Sequence, residues 1–139
     1  MIGWESKYTI APFKDHGRDL SGLDCWGLVR LVYLQELNIA LPEFAEISPS
    51  DLRRVAYMID GAKDSEEWSS VDRPNLKPFD VVVMSQYGGI RNAHVGLITN
   101  AGKLMHIEKG SNVLVLPLDH FTIRERVKCF RRHKSRVLP

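Results

Sequence analysis

The first half of the chain carries apolar residues at helical spacing. In the segment that follows DCWG, apolar side chains recur three and four positions apart: Leu28, Val29, Val32, Tyr33 and Leu37. This periodicity predicts an amphipathic helix over residues 25–37. Asp24 has the short acceptor side chain preferred just before a first helical turn, and Asn38 is suited to end the last turn.

A second amphipathic helix is predicted in the segment SPSDLRRVAYMIDGAK. Ser48 is the expected cap and Pro49 fits the first helical position, where its missing N–H costs nothing. Asp51 favours the first turn, because the positive end of the helix dipole attracts a carboxylate.

The second half of the chain has the pattern of short strands instead. Five segments are rich in Val, Ile and Leu and are separated by turn residues: 79–85, 93–99, 103–109, 112–118 and 126–132. Helices followed by strands predict an α+β fold with an antiparallel sheet. We expect the N-terminal helices to pack on one face of this sheet and the other face to be partly open to solvent.

The length of 139 residues suits one compact domain, which we expect to extend over residues 1–139. No apolar stretch approaches the roughly 20 residues that cross a bilayer, so membrane insertion is not expected. The segment MIGWESKYTIAPF contains charged residues and lacks the apolar core of a signal peptide, which predicts synthesis in the cytoplasm without an export signal. The two cysteines are too few for a disulfide framework or a cysteine-rich zinc site, and both should be free thiols.

The C-terminus, from about residue 124 to 139, is basic, with seven Lys or Arg residues against one Glu. Clustered positive charge can bind nucleic acid, but no nucleic-acid motif or interleaved aromatic residues accompany it. We interpret the segment as a solvated edge strand and a frayed terminus, in which charge discourages aggregation. No nucleic-acid partner is expected.

Cys25 stands at the predicted start of the first helix, directly after its cap. Unpaired backbone N–H groups and the positive end of the helix dipole both favour a thiolate there. We therefore expect the pKa of the Cys25 thiol to fall below its usual value of about 8.5. A cysteine in an apolar helix is also a common small core residue, so position alone leaves its role open.

His94 and His106 are the histidines that a nucleophilic cysteine could use as partners. They lie in two predicted strands, twelve residues apart, with Asn100 midway. A hairpin folded about Asn100 would place His94 directly opposite His106 on the same face of the sheet. One imidazole could then fix the tautomer of the other.

The remaining histidines and a metal site have simpler interpretations. His16, His120 and His133 are interpreted as surface or loop residues. A metal site made of His94, His106 and Glu108 is conceivable, but no metal-binding spacing supports it, and we expect neither metal nor cofactor.

The segments GLDCWGLVRLVY, HVGLI and KLMHI together resemble the NlpC/P60 family of cysteine peptidases. In that family a Cys at a helix start, a His in a His-Val-Gly strand and a polar residue one strand later form the catalytic set. Cys25, His94 and His106 occupy those three positions. The resemblance extends over residues 8–121 and implies a papain-like α+β fold.

The resemblance implies hydrolysis of peptide stems in bacterial peptidoglycan, at the bond between γ-D-glutamate and the following diamino acid. The stretch APFKDHGRDLSGLDCWGLVRLVY is most similar to the versions encoded among tail-assembly genes of tailed bacteriophages. It implies a virion component that reaches the cell wall from outside, with other tail proteins as partners. Asp24 and the Cys25 amide would shape the oxyanion site, and Phe13, Trp26 and Tyr87 are candidates to line the substrate cleft.

Two residues depart from the family pattern. Many members have a Tyr about twelve residues before the cysteine whose hydroxyl assists the oxyanion site, and this chain has Phe13 there. A Pro-Gly-Asp turn usually precedes the first long strand, and here the sequence is Pro78-Phe79-Asp80. We interpret Asp80 as structural.

Two other functions are compatible with the same residues. A structural phage tail module could keep the fold with little activity, which the loss of the Tyr hydroxyl favours and the intact Cys–His–His set disfavours. A thiol acyltransferase or amidase acting on another amide would use the same groups, because fold and catalytic set do not fix the acyl acceptor.

Overall fold

A computed structural model describes residues 3–44 and 51–136, and its first helix forms as the sequence predicts. Helix α1 extends over Cys25–Leu37. The Asp24 carboxylate accepts a hydrogen bond from the Gly27 amide at 2.7 Å. Asn38 ends the helix in the left-handed region, with φ of 57°, a conformation that Asn tolerates better than most residues.

Helix α2 extends over Leu52–Lys63. Asp51 is its cap and accepts from the Arg54 amide, so the prediction that Asp51 lies inside the first turn was wrong. The proposed roles of Ser48 and Pro49 fall outside the described residues.

Antiparallel pairing organises all the strands. A short hairpin of β1 (Arg18–Asp19) and β2 (Gly22–Leu23) precedes α1. The main sheet has six strands: β3 (Trp68–Val71), β4 (Val81–Met84), β5 (His94–Ile98), β6 (Leu104–His106), β7 (Leu114–Leu116) and β8 (Val127–His133). Their spatial order is β3-β8-β4-β5-β6-β7. Four of the five predicted segments contain one strand each, and the fifth, 126–132, covers β8 except for His133; β3 and the short hairpin were not predicted.

The basic C-terminal segment includes an interior strand of this sheet. Strand β8 pairs with β3 on one side and β4 on the other, so the prediction of an edge strand was wrong. Its arginines are used inside the fold: Arg132 donates two hydrogen bonds to the buried Asp80 carboxylate, at 2.7 and 2.8 Å. This contact gives Asp80 a structural place in the described fold.

Both faces of the central strands β4 and β5 are covered. Helices α1 and α2 pack on one face, against side chains that include Val81, Val83 and Val95. The opposite face holds a second apolar cluster, in which Leu118 and Ile123 from the segment after β7 join strand residues that include Val82 and Phe130. The segment after β7 covers the centre of this face, whereas Ser69 of β3 and Leu114 of β7 are exposed at its edges, so the face is partly open as expected. Continuous burial of β4 and β5 follows from this two-sided cover.

The chain thus has the predicted α+β architecture, with two helices on an antiparallel sheet. Within residues 3–44 and 51–136, no helix combines the length and apolar character needed to cross a membrane.

Candidate active site

Cys25 lies where helix α1 meets strand β5. The Asp24 side chain, 4% exposed, also accepts hydrogen bonds from the Arg18 guanidinium at 2.9 Å and from the His16 amide at 3.1 Å. The Leu28 amide makes the first bond within the helix, to the Asp24 carbonyl. The Gly27 amide donates to the Asp24 side chain. The amides of Cys25 and Trp26 are therefore the ones left without partners inside the helix. They are available for a developing negative charge.

His94 and His106 share a face of the sheet, but they are not directly opposite one another. Strands β5 and β6 pair Leu97 with Met105 and Ile98 with Leu104, a register that places Gly96 across from His106. The predicted turn about Asn100 was therefore one residue too early. A side chain at Gly96 would meet the His106 Cβ at 3.1 Å, so glycine there lets the imidazole lie over the strand and reach His94 diagonally.

The two imidazoles are joined by one hydrogen bond. His94 Nε2 and His106 Nδ1 are 2.9 Å apart, and both side chains are buried. If His94 donates, its Nδ1 is left as an acceptor and His106 must carry its proton on Nε2. That Nε2 is buried with no hydrogen-bond partner among the described residues. An unmade buried bond costs about 1–3 kcal/mol, so this tautomer is maintained at a cost in stability.

A carboxylate lies beside the histidine pair. Glu108 Oε1 is 3.7 Å from His106 Nδ1, beyond hydrogen-bonding distance. The two carboxylate oxygens instead accept from the Arg126 guanidinium at 2.8 and 2.7 Å, in a bidentate pair. Arg126 also donates to the Ser85 carbonyl at 3.1 Å and lies over the Tyr87 ring at 5.6 Å.

Cys25 and His94 open into one cleft of about 240 Å³. Its other lining residues come from four segments of the chain: Phe13, Asp15, Asp24, Leu52, Gln86, Ala93, Ile107, Glu108 and Lys109. Of the candidate cleft residues, Phe13 lines this space. Trp26 lines a smaller cavity of about 50 Å³ that shares Cys25, and its indole donates to the Pro42 carbonyl at 2.7 Å. Tyr87 is 76% exposed and is not among the lining residues.

The Cys25 thiol has a raised pKa, contrary to the sequence-based expectation. Burial of the sulfur and the neighbouring Asp24 carboxylate raise the pKa of Cys25 to about 12, and the amides of Val95 and Trp26 oppose this only in part. Cys25 is partly exposed and lines the cleft, but burial is the largest influence on the pKa of its sulfur. Desolvation therefore outweighs the helix start, and the resting group is the neutral thiol.

The two histidines are held neutral in the same way. Burial lowers the pKa of His94 to about 3 and that of His106 to about 4. The Glu108 carboxylate opposes burial and raises both pKa values, while Arg126 lowers them. Arg126 in turn contributes to the lowered pKa of Glu108, which keeps that carboxylate ionised despite its partial burial.

Atoms of His94, His106 and Glu108 lie within 4.8 Å of one another, a spacing that also suits a cation. The two ring nitrogens are already hydrogen-bonded to each other, and the guanidinium of Arg126 occupies both oxygens of Glu108. A cation would have to displace a proton and a fixed positive charge. Proton sharing and ion pairing account for this cluster better than a metal does.

Three features of the structure were not predicted from the sequence or differ from the prediction. His133, interpreted as a surface residue, is buried at the end of β8 and lies edge-on to the Trp68 ring, with 5.0 Å between centroids. Residues 85–93, expected to form one wall of the cleft, contribute Gln86 and Ala93 to it, whereas no role at the site was predicted for Arg126. Gly102 is the signal that could have given the correct register. A glycine after TNA favours a three-residue turn, which centres the hairpin one residue later than Asn100 and so gives the position of Glu108.

The chain is similar to a known protein family, to a named hydrolase and to a solved domain. A sequence model of the NlpC/P60 family matches residues 11–132. Gamma-DL-glutamyl hydrolase of Bacillus subtilis (strain 168) is 27% identical over 137 residues, which are 96% of this chain and 29% of the hydrolase. The chain thus spans less than a third of that relative's length. The crystal structure of the NlpC/p60 domain of the peptidoglycan hydrolase SagA matches with a TM-score of 0.59 and 23% identity, over 91% of each chain.

The family match covers both halves of the fold and takes in the cysteine at the helix start as well as the paired histidines of β5 and β6. The chain therefore belongs to the NlpC/P60 family.

Proposed function

We propose that this protein is a cysteine peptidase that cleaves peptide stems of peptidoglycan. One observation carries the proposal: Cys25 shares a cleft with His94, whose other ring nitrogen is bound to His106 at 2.9 Å. A thiol, a base and a group that orients the base are the three parts that nucleophilic acyl transfer needs.

The reaction starts from the neutral thiol and the neutral imidazole. His94 Nδ1 takes the proton from Cys25 as the sulfur attacks the scissile carbonyl, while His94 Nε2 remains hydrogen-bonded to His106. The imidazolium returns the proton to the leaving amine as the C–N bond breaks and a thioester forms. Water, deprotonated by His94, then hydrolyses the thioester and restores the thiol.

The oxyanion is stabilised by the start of helix α1. The amides of Cys25 and Trp26 lack partners inside the helix and lie beside the nucleophile. Phe13 lines the cleft without a donor group. The helix start thus serves the oxyanion, because burial and Asp24 outweigh its lowering effect on the pKa of Cys25.

The scissile bond in this proposal joins γ-D-glutamate to the following diamino acid. The family pattern of the residues supports this choice, and so does the name of the Bacillus subtilis relative, a gamma-DL-glutamyl hydrolase. Because that relative is much longer than this chain, its substrate is carried over only as part of the proposal.

The proposal is tested by digesting purified peptidoglycan with wild type and Cys25→Ala and identifying the fragments by mass spectrometry. We expect γ-D-glutamyl fragments from wild type only. A parallel digest of poly-γ-glutamate separates wall-peptide specificity from general γ-glutamyl hydrolysis. Absence of fragments from folded wild type on walls of several cross-link chemistries would refute the peptidase.

We also propose a bacteriophage tail as the setting, supported by the similarity of residues 11–33 to tail-encoded members. In this setting a protein made in the cytoplasm reaches the wall as part of the virion and has other tail proteins as partners. Phe13 in the cleft favours a second candidate, a tail-assembly module of the same fold with little activity. A folded wild type that cleaves no wall but copurifies with tail structures would support that module.

A further inference from the structure

We propose that the Glu108–Arg126 ion pair is a positioning element of this site, in which the carboxylate stabilises the positive charge that His94 acquires on taking the Cys25 proton. The inference rests on the peptidase mechanism proposed above. It assigns a role to two charged residues that the Cys–His–His set does not contain.

The placement of Glu108 supports this role. Its carboxylate lies 3.7 Å from His106 Nδ1, the atom that binds His94, and its side chain is about one quarter exposed. The ligand atoms of Glu108, His94 and His106 are all within 4.8 Å of one another. At such distances in a partly buried site, a carboxylate stabilises an imidazolium far more than it would in water.

Arg126 keeps the carboxylate at its working distance. Two hydrogen bonds to the guanidinium prevent Glu108 from turning to His106 Nδ1 and breaking the His94–His106 bond. Arg126 is itself anchored by the Ser85 carbonyl and the Tyr87 ring. The carboxylate therefore presents its negative charge to the imidazoles without competing for the hydrogen bond that orients the base, and the Arg126 charge offsets part of this effect.

Other charges around the site act in different directions. Asp24 at the start of α1 raises the pKa of Cys25, and Asp15 and Lys109 line the outer cleft. Glu108 opposes ionisation of the thiol as well, but it is the weakest of the influences on Cys25. On His94 it is the largest influence after burial. Because its carboxylate lies within 4.8 Å of the His94 ring, we expect its attraction for the imidazolium to exceed its repulsion of the thiolate.

If Glu108 favours the thiolate–imidazolium pair, its removal should slow the reaction of Cys25 with a small thiol reagent. The rate at which iodoacetamide alkylates Cys25 is measured from pH 5 to 10 by peptide mapping, which separates Cys25 from Cys129. We expect Glu108→Gln to slow alkylation of Cys25 about tenfold at pH 7, because the imidazolium that accompanies the thiolate loses a neighbouring negative charge. The exposed neighbour Glu125 provides the matched control, and Glu125→Gln should react like wild type.

An unchanged or faster reaction in Glu108→Gln would overturn the inference, since removing a carboxylate that only repels the thiolate must speed alkylation. Arg126→Lys is the second variant if Glu108→Gln loses its fold by circular dichroism. Lysine keeps the positive charge but cannot make the two parallel hydrogen bonds to Glu108, so we expect alkylation of Cys25 to slow several-fold, less than in Glu108→Gln. An unchanged rate would count against the inference. Wall digestion is a separate readout, so failure of the peptidase proposal and failure of this inference remain distinguishable.

Discussion

Asp24 combines three contacts that hold the start of helix α1. One carboxylate oxygen accepts from Gly27 and Arg18, and the other from the His16 amide. Because the residue is buried, these bonds are shielded from water and removal leaves donors without partners. The Asp24 carboxylate also raises the pKa of Cys25. The side chain that stabilises the helix start therefore makes the thiol harder to ionise.

We expect Asp24→Ala to lower the free energy of unfolding by about 2 kcal/mol or more, the upper end for a lost helix cap. Urea denaturation measures it. Asp51→Ala is the matched control, because Asp51 caps α2 from an exposed position with one longer bond of 3.3 Å. Its loss should be about 1 kcal/mol or less. Equal losses in the two variants would contradict the importance given to the buried contacts.

At the scale of elements, helix α1 depends on close approach to the loop before β1. A Cβ added at Gly27 would lie 1.9 Å from the Gly17 carbonyl oxygen. A backbone atom cannot yield as a flexible side chain can, so the helix would have to move away, together with Cys25. The glycine two residues after the nucleophile therefore sets the position of the nucleophile.

Gly27→Ala should destabilise the fold by about 3 kcal/mol, the upper range for overpacking. Thermal and urea unfolding both report it. In α2, Gly61 has no atom within 4 Å of an added Cβ, and Gly61→Ala should stabilise by up to about 1 kcal/mol through helix propensity. A similar effect of the two substitutions would show that the contact with Gly17 is not what fixes α1.

The elements also show what local patterns reveal. Periodicity and capping residues predict α1 to the residue, since these are contacts within a few positions. The pairing of β8 between β3 and β4 joins segments far apart in sequence, and no local pattern encodes it. His94 and His106 were correctly predicted to share a face, because a turn centred one residue later changes the pairing by two positions and preserves the face. The raised pKa of Cys25 depends on burial by distant elements and could not be predicted.

At the scale of the whole molecule, burial of neutral histidines links folding to pH. The pKa values of His94, His106 and His133 are all lowered in the folded state, chiefly by burial. Between about pH 6.5 and 4 the unfolded chain therefore binds more protons than the folded one. The free energy of unfolding is therefore not reduced by these histidines above their pKa in the unfolded chain. It falls as the pH drops below that pKa, by up to about 1.4 kcal/mol per pH unit for each histidine.

Urea unfolding at pH 7, 6, 5 and 4 should therefore show a steady fall in the free energy of unfolding before the carboxylates titrate. His106→Gln removes one contributor and should reduce the slope in this window. His120→Gln serves as the control, because its imidazole bonds a turn hydroxyl, at Thr122, rather than lying in the core. A stability that stays level down to pH 5 would contradict the neutral burial of the pair.

The central claim is that the Cys25 thiol performs the chemistry, with His94 as its base. The most direct measurement is the rate of hydrolysis of a defined stem peptide containing the γ-D-glutamyl–diamino acid bond by four proteins: wild type, Cys25→Ala, His94→Gln and Cys129→Ala. The account predicts turnover by wild type and Cys129→Ala, and a loss of at least about a thousandfold in the other two. Turnover that survives Cys25→Ala would contradict it.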